Sequence, residues 1–199
     1  MSAFAADSSL DTLLKGVEAR YNRAKTLQVL FQEDYTRAGE GHRPTESGIL
    51  MLRKPGRMRW DYTQPKGKLF VCDGKFLYLY TPDDNRAERM KMEMSDDMRA
   101  PLAFLLGKLH FSKEFRNIQG KPDGAGTRIT AEPRNDSLPY SAVEFVVTPD
   151  ARIREVKVTG FDKSVLDFQF DQEKVDPALD ARLFQFQVPP GVKLTEGGQ

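Results

Sequence analysis

The side chains of this 199-residue chain that could carry chemistry are few and scattered. His42 and His110 are its two histidines, and they stand too far apart for the zinc-ligand spacing of about three to five residues. Cys72 is the only cysteine, so no intramolecular disulfide and no thiolate cluster can form. No Gly-x-Ser-x-Gly elbow, Walker sequence or Gly-x-Gly-x-x-Gly loop is present for acyl, phosphoryl or dinucleotide chemistry. The acidic pairs Asp83-Asp84 and Asp96-Asp97 could in principle serve as acid and base. Asp is favoured at turns and helix starts because its carboxylate accepts backbone N–H groups, and both pairs read that way. Asn135-Asp136-Ser137 matches a glycosylation acceptor, a triplet short enough to arise by chance. The inventory is poor for catalysis and offers no cofactor motif and no metal-ligand spacing. A lipid hydrolase acting through His42 or His110 is the catalytic alternative.

What the chain offers instead is apolar surface in strand rhythm. Gly48–Tyr62 sets two apolar runs about Lys54-Pro55-Gly56, where Pro fixes φ and Gly accepts φ > 0, and this predicts a hairpin. Its first arm is apolar on both faces, Leu50 and Leu52 on one and Ile49 and Met51 on the other, so each face needs a cover. Its second arm alternates Met58, Trp60 and Tyr62 with Arg57, Arg59 and Asp61. Asp73-Gly74 predicts a second hairpin, whose Phe76-Leu77-Tyr78-Leu79-Tyr80 arm is again apolar on both faces.

Around these stand the elements that must position them. Leu10, Leu13, Leu14, Val17 and Tyr21 recur at helical spacing after a Ser8/Asp11 capping pair and predict an amphipathic helix near 9–25. The period becomes two from Leu27. A short helix over 100–106, with Leu102, Leu105 and Leu106, ends at Gly107. Strands are expected up to Met94 and at 112–119, 126–133, 141–148, 151–160 and 164–174, then a helical turn at 177–183 and a closing strand at 184–188. About ten or eleven strands without strand-helix-strand alternation predict a mostly β, antiparallel α+β fold, a sheet that must curl into a barrel. Lid helices would cover its apolar mouth.

Bulk composition fits this reading. Lys+Arg 30 against Asp+Glu 29 gives a net charge of +1, so no long-range field draws the chain to nucleic acid or an anionic membrane. The basic residues Arg53, Lys54, Arg57, Arg59, Lys66 and Lys68 read as a solvated sheet face, or as a rim for an acidic partner. No apolar run approaches the roughly 20 residues of a spanning helix. Residues 1–5 read either as the remnant of a signal peptide or as an Ala-rich terminus, ahead of a single domain over 6–199.

Taken in order, the motifs resemble the LolA-type periplasmic lipoprotein carriers of Gram-negative bacteria. They are Leu27-x-x-x-Phe31-Gln32, Gly48-x-Leu50, Lys54-Pro55, Arg59-Trp60-x-Tyr62-x-x-Pro65 and Asp73-Gly74. Leu77-x-x-Tyr80-x-Pro82-Asp83, Pro101-x-x-x-Leu105-Leu106 and Phe186-x-Val188-Pro189-Pro190-Gly191-Val192 complete them. The resemblance implies an unclosed β-barrel and a non-enzymatic periplasmic carrier, and the chain is expected to be a monomer. It would take the acyl chains of a lipoprotein from an inner-membrane ABC transporter, hold them in an apolar cavity under a helical lid, and hand them to an outer-membrane receptor.

Candidate cavity residues are Leu50, Leu52, Met58, Trp60, Tyr62, Phe76, Tyr78, Met90 and Met92, with Met51, Met94 and Met98 as further flexible, polarisable side chains. Neighbouring positions on one strand cannot all face one lumen. The family commonly places an Arg before the hairpin Pro to hold the lid backbone; that position is Lys54 here, with Arg53 one place earlier. Lys54 is thus either a lid latch or a solvated turn charge. A carrier of another amphiphile, such as a glycolipid, or a lipoprotein-sensing module would share these features.

Overall fold

The computed structural model describes residues 3–91, 102, 105 and 108–197. Met92, Met94, Met98 and Leu106, among the expected cavity and lid residues, lie outside the described residues.

Helix α1 spans Ala3–Arg23. It starts before Ser8 because Ala-rich sequence extends helix readily, so Ser8 lies inside the helix instead of capping it. β1 (Thr26–Arg37) follows at once, pairing briefly with the two-residue β2 (Gly41–His42). β3 (Glu46–Arg53) and β4 (Arg57–Gln64) form the expected hairpin about Lys54-Pro55-Gly56, with Gly56 at φ 64°. β5 (Leu69–Cys72), β6 (Phe76–Thr81) and β7 (Arg86–Lys91) continue the meander. A single helical turn, α2 (Phe111–Glu114), leads into β8 (Phe115–Asp123), β9 (Gly126–Pro133), β10 (Tyr140–Val147), β11 (Ile153–Gly160) and β12 (Val165–Val175).

With β13 (Lys193–Glu196), these strands form one sheet of thirteen, ordered β13-β7-β6-β5-β4-β3-β1-β12-β11-β10-β9-β8 with β2 beside β1. β8 and β13 are free edges, so the sheet curls without closing. The count exceeds the sequence expectation because β2 is too short to carry a period and β13 (Lys193–Glu196) follows Pro-Pro-Gly as a polar, parallel partner of β7. No strand forms at 184–188: Phe184 closes a 3-10 turn (Ala181–Phe184), and the strand comes after the prolines.

Register explains the doubly apolar strands. Leu27, Leu52, Met58, Cys72, Leu77 and Met90 stand opposite one another from β1 across β3 to β7, and Val29, Leu50, Trp60, Phe70 and Leu79 form the next row. A third row, Phe31, Gly48 and Tyr62, needs its glycine: a Cβ there would lie 2.1 Å from the Asp61 carbonyl oxygen, beside the irregularity at Ser47/Gly48. These rows share the concave face with Ile129, Phe145, Val156 and Phe168 of the other half and form one core with Leu14, Val17, Leu102, Leu105, Leu109 and Phe111. The convex face of β3–β6 is covered by the C-terminal segment, where Phe184 is buried and Phe186 stacks on Tyr78 at 5.1 Å. Arg53 Nη1 donates to the Leu179 carbonyl at 2.7 Å and Arg59 Nη1 to that of Leu183 at 2.9 Å. These arginines therefore fasten the terminal segment and are not a solvated face.

Candidate functional site

The concave face brings together Leu50, Leu52, Met58, Trp60 and Tyr62, each under 5% exposed, with Met90 packed partly buried against them. Phe76 and Tyr78 are corrected by register: they share the convex face with Arg59, Val71 and Arg89, and Leu77 and Leu79 occupy the concave positions of β6. Both faces of β6 are apolar because both are covered, so alternation alone could not choose between them. Met51 likewise faces Arg59 on the convex side.

α1 lies over the concave face. Val17 is fully buried, Leu14 nearly so, and Leu10 and Leu13 are partly buried against the same core. Leu102 and Leu105, from the second expected lid segment, are buried there too. Among the described residues, a void of about 10 Å³ lies near Tyr21, Leu52, Lys54 and Leu105, between α1 and the sheet.

The last turns of α1 carry a set of polar ties. Lys54 Nζ donates to the carbonyl of Tyr21 at 2.5 Å, at the helix C-terminus where a cation also meets the favourable end of the dipole. Burial lowers the Lys54 ammonium from its ordinary range, and the charge of Asp176 opposes that shift. The Tyr21 hydroxyl donates to Glu173 Oε2 at 2.6 Å and accepts from the Ile153 N–H at 2.9 Å. Burial and then the Glu173 charge push the phenol well above its usual range. Arg20 Nε reaches the same carboxylate at 2.9 Å. Asn22 pairs with both backbone groups of Leu109, at 2.6 and 2.8 Å, and the Glu18 carboxylate accepts the Phe111 N–H at 2.8 Å. α1 thus also holds the segment that returns beneath it.

Of these partners sequence reading found Lys54 alone. Glu173 was hidden by a bulge: Phe168 and Phe170 alternate inward, and one extra residue on β12, with Gln172 at φ 52°, turns Glu173 inward instead of Gln172. Asp176, also at positive φ, accepts the N–H groups of Lys25 and Thr26 at the α1–β1 junction, and these bonds hold its carboxyl below the usual range. Tyr21 carried a signal, a hydroxyl at the end of a leucine stripe that must find a partner when buried.

Toward the other end of the concave face polarity rises. Glu33 is 2% exposed and accepts from the Tyr62 hydroxyl at 2.8 Å, and Lys68 Nζ stands 4.4 Å from the Tyr62 ring centre. His42 and His110 occupy separate settings, beside Asp34 at 3.4 Å and Glu18 at 3.9 Å. A groove of about 790 Å³ lies apart from the lid, lined by Leu30, Ile49, Val146, Arg154, Glu155 and Asp171 among others.

The geometry is that of an apolar sheet face buried under a helical cover. The family described as "Outer membrane lipoprotein carrier protein LolA" matches residues 22–187. An outer-membrane lipoprotein carrier protein of Chromobacterium violaceum is 27% identical over 181 residues, covering 91% of this chain and 86% of the relative. One from Pseudomonas aeruginosa is 27% identical over 195 residues, with 98% and 91% covered. Among solved structures, an uncharacterised conserved protein from Thermus thermophilus shares the fold with a TM-score of 0.54 at 14% identity, covering 95% of this chain and 99% of that one. With most of its length matched, and with the lid and sheet motifs in order, this chain belongs to the LolA family of outer membrane lipoprotein carrier proteins.

Proposed function

We propose that this chain is a monomeric periplasmic carrier that shields the acyl chains of lipoproteins, takes them from an inner-membrane ABC transporter and delivers them to an outer-membrane receptor without catalysing a reaction. The observation that carries this reading is the pair of apolar rows, from Leu27 to Met90 and from Val29 to Leu79, lying under a helical cover. Family membership and the names of the relatives support the cargo class.

Moving one acyl CH₂ into water costs about 0.8 kcal/mol, so a lipid anchor crosses an aqueous compartment only under cover. In this mechanism α1 leaves the concave face as the chains enter, together with Leu102, Leu105, Leu109 and Phe111. Apolar side chains are exchanged for apolar cargo, so the hydrophobic term nearly cancels. The balance is then set by the ties at Lys54, Tyr21 and Asn22, each hydrogen bond worth about 0.5–1.5 kcal/mol net. Cargo held at so small a net gain can pass to a more apolar receptor. Lys54 is the latch: it fixes the end of α1 to the hairpin turn.

Native mass spectrometry of the protein expressed in a Gram-negative periplasm and gently extracted tests the reading. A one-to-one adduct at the mass of a triacylated lipoprotein is expected. Free-lipid adducts alone, with the releasing transporter co-expressed, contradict it.

A further inference from the structure

Two buried polar side-chain atoms have no hydrogen-bond partner among the described residues, Trp60 Nε1 and Asp167 Oδ1. The second belongs to a carboxylate whose other oxygen stands 3.3 Å from Lys157 Nζ, so its charge is met. The indole has a single donor and no second atom to offer. Trp60 is fully buried, in edge contact with Phe31 at 4.7 Å and beside Phe168 at 5.2 Å, so apolar rings surround an N–H that water does not reach. Leaving such a donor unpaired costs about 1–3 kcal/mol, which a phenyl ring in its place would avoid.

The position of this donor is informative. Trp60 stands in the middle row of the concave face. On one side is the wholly apolar row Leu52, Met58, Cys72, Leu77 and Met90; on the other is the row of Tyr62, with Glu33 and Lys68 beyond. Successive rows lie two residues apart along a strand, or about 6.6 Å. An amphiphile with its tails on the apolar row and its headgroup toward Tyr62 has its carbonyls between them.

We propose that the Trp60 indole N–H is the hydrogen-bond donor for the ester carbonyl of a bound acyl chain. The inference rests on the carrier reading and deepens it: the concave face selects acyl esters over chains of equal length that lack a carbonyl. In the empty, lidded state the donor is unsatisfied; in the loaded state it is paired, which favours exchange of lid for cargo.

The test uses a short-chain diacyl phosphatidylcholine below its micelle concentration and its dialkyl-ether counterpart. Trp60 is the only tryptophan, so the protein has a single indole N–H resonance. The ester lipid is expected to bind about three- to tenfold more tightly than the ether and to move that resonance downfield, as one hydrogen bond would. Trp60→Phe is expected to erase the preference while retaining binding of both. Equal binding with an unmoved resonance in the wild-type protein overturns the inference, as does binding of neither lipid; the carrier reading stands or falls separately, on the lipoprotein adduct. The resonance is read in the unaltered protein, so the outcome does not depend on whether Trp60→Phe folds.

Discussion

Lys54 and Tyr21 meet across the seam between sheet and lid, the ammonium of a hairpin turn donating to a carbonyl in the last turn of α1. Arg53, one residue earlier, points through the sheet to the Leu179 carbonyl on the other face. The two adjacent cations thus hold the two covers of one strand, as the alternation of a β-strand requires.

Lys54→Met keeps the aliphatic stem and removes the donor. The opening equilibrium of the lid is expected to rise about fivefold, corresponding to about 1 kcal/mol for one hydrogen bond. Hydrogen exchange of the α1 amides measures it, and Lys54→Arg, which retains a donor, is expected to leave exchange within about twofold of wild type.

Tyr21→Phe removes two bonds at once, strands a buried Ile153 N–H and leaves the Glu173 carboxylate paired with Arg20 but without its phenol donor. A loss of about 1–3 kcal/mol is expected, lowering Tm by about 2–4 °C per kcal/mol in a chain of this size. Unchanged melting would remove Tyr21 from the set of lid ties.

The two faces of β6 give opposite outcomes. Leu77→Ala empties a fully buried concave position, with an expected cost of about 2–5 kcal/mol and weakened acyl binding. Tyr78→Ala strips the stacking partner of Phe186 and is expected to loosen the C-terminal segment while leaving acyl affinity unchanged. Lipid titrations alongside limited proteolysis of the C-terminus separate the two.

Asp176 gives the junction of α1 and β1 a pH dependence. The Lys25 and Thr26 N–H groups hold its folded carboxyl below the ordinary 3.8. Its contribution is therefore fully present above that value and is lost as pH falls through the lower folded value. Asp176→Asn is expected to melt below wild type at neutral pH, with the gap closing once the wild-type carboxyl is protonated. Parallel melts at the two pH values check the sign.

Much of the fold was legible because its signals are local and periodic. Lys54-Pro55-Gly56 and Asp73-Gly74 marked the turns, and alternation in Met58, Trp60 and Tyr62 put the concave side together correctly. β6 was not legible in the same way, since Phe76 to Tyr80 is apolar at every position and the choice of face depends on what covers each side. Glu173 depended on a one-residue bulge that no residue type announces, and β13 on an edge pairing far from β7 in sequence. Arg53 and Arg59 have carbonyl partners more than a hundred residues away, which no window of sequence contains.

The central claim is that acyl chains take the place of the lid on the concave face. A lipoprotein bearing photoreactive diazirine acyl chains, loaded onto the protein, irradiated and mapped by mass spectrometry, tests it most directly. Labels are expected on Leu50, Leu52, Met58 and Leu77. Labels confined to Leu30, Ile49 and Val146, in the groove of about 790 Å³, would contradict the account.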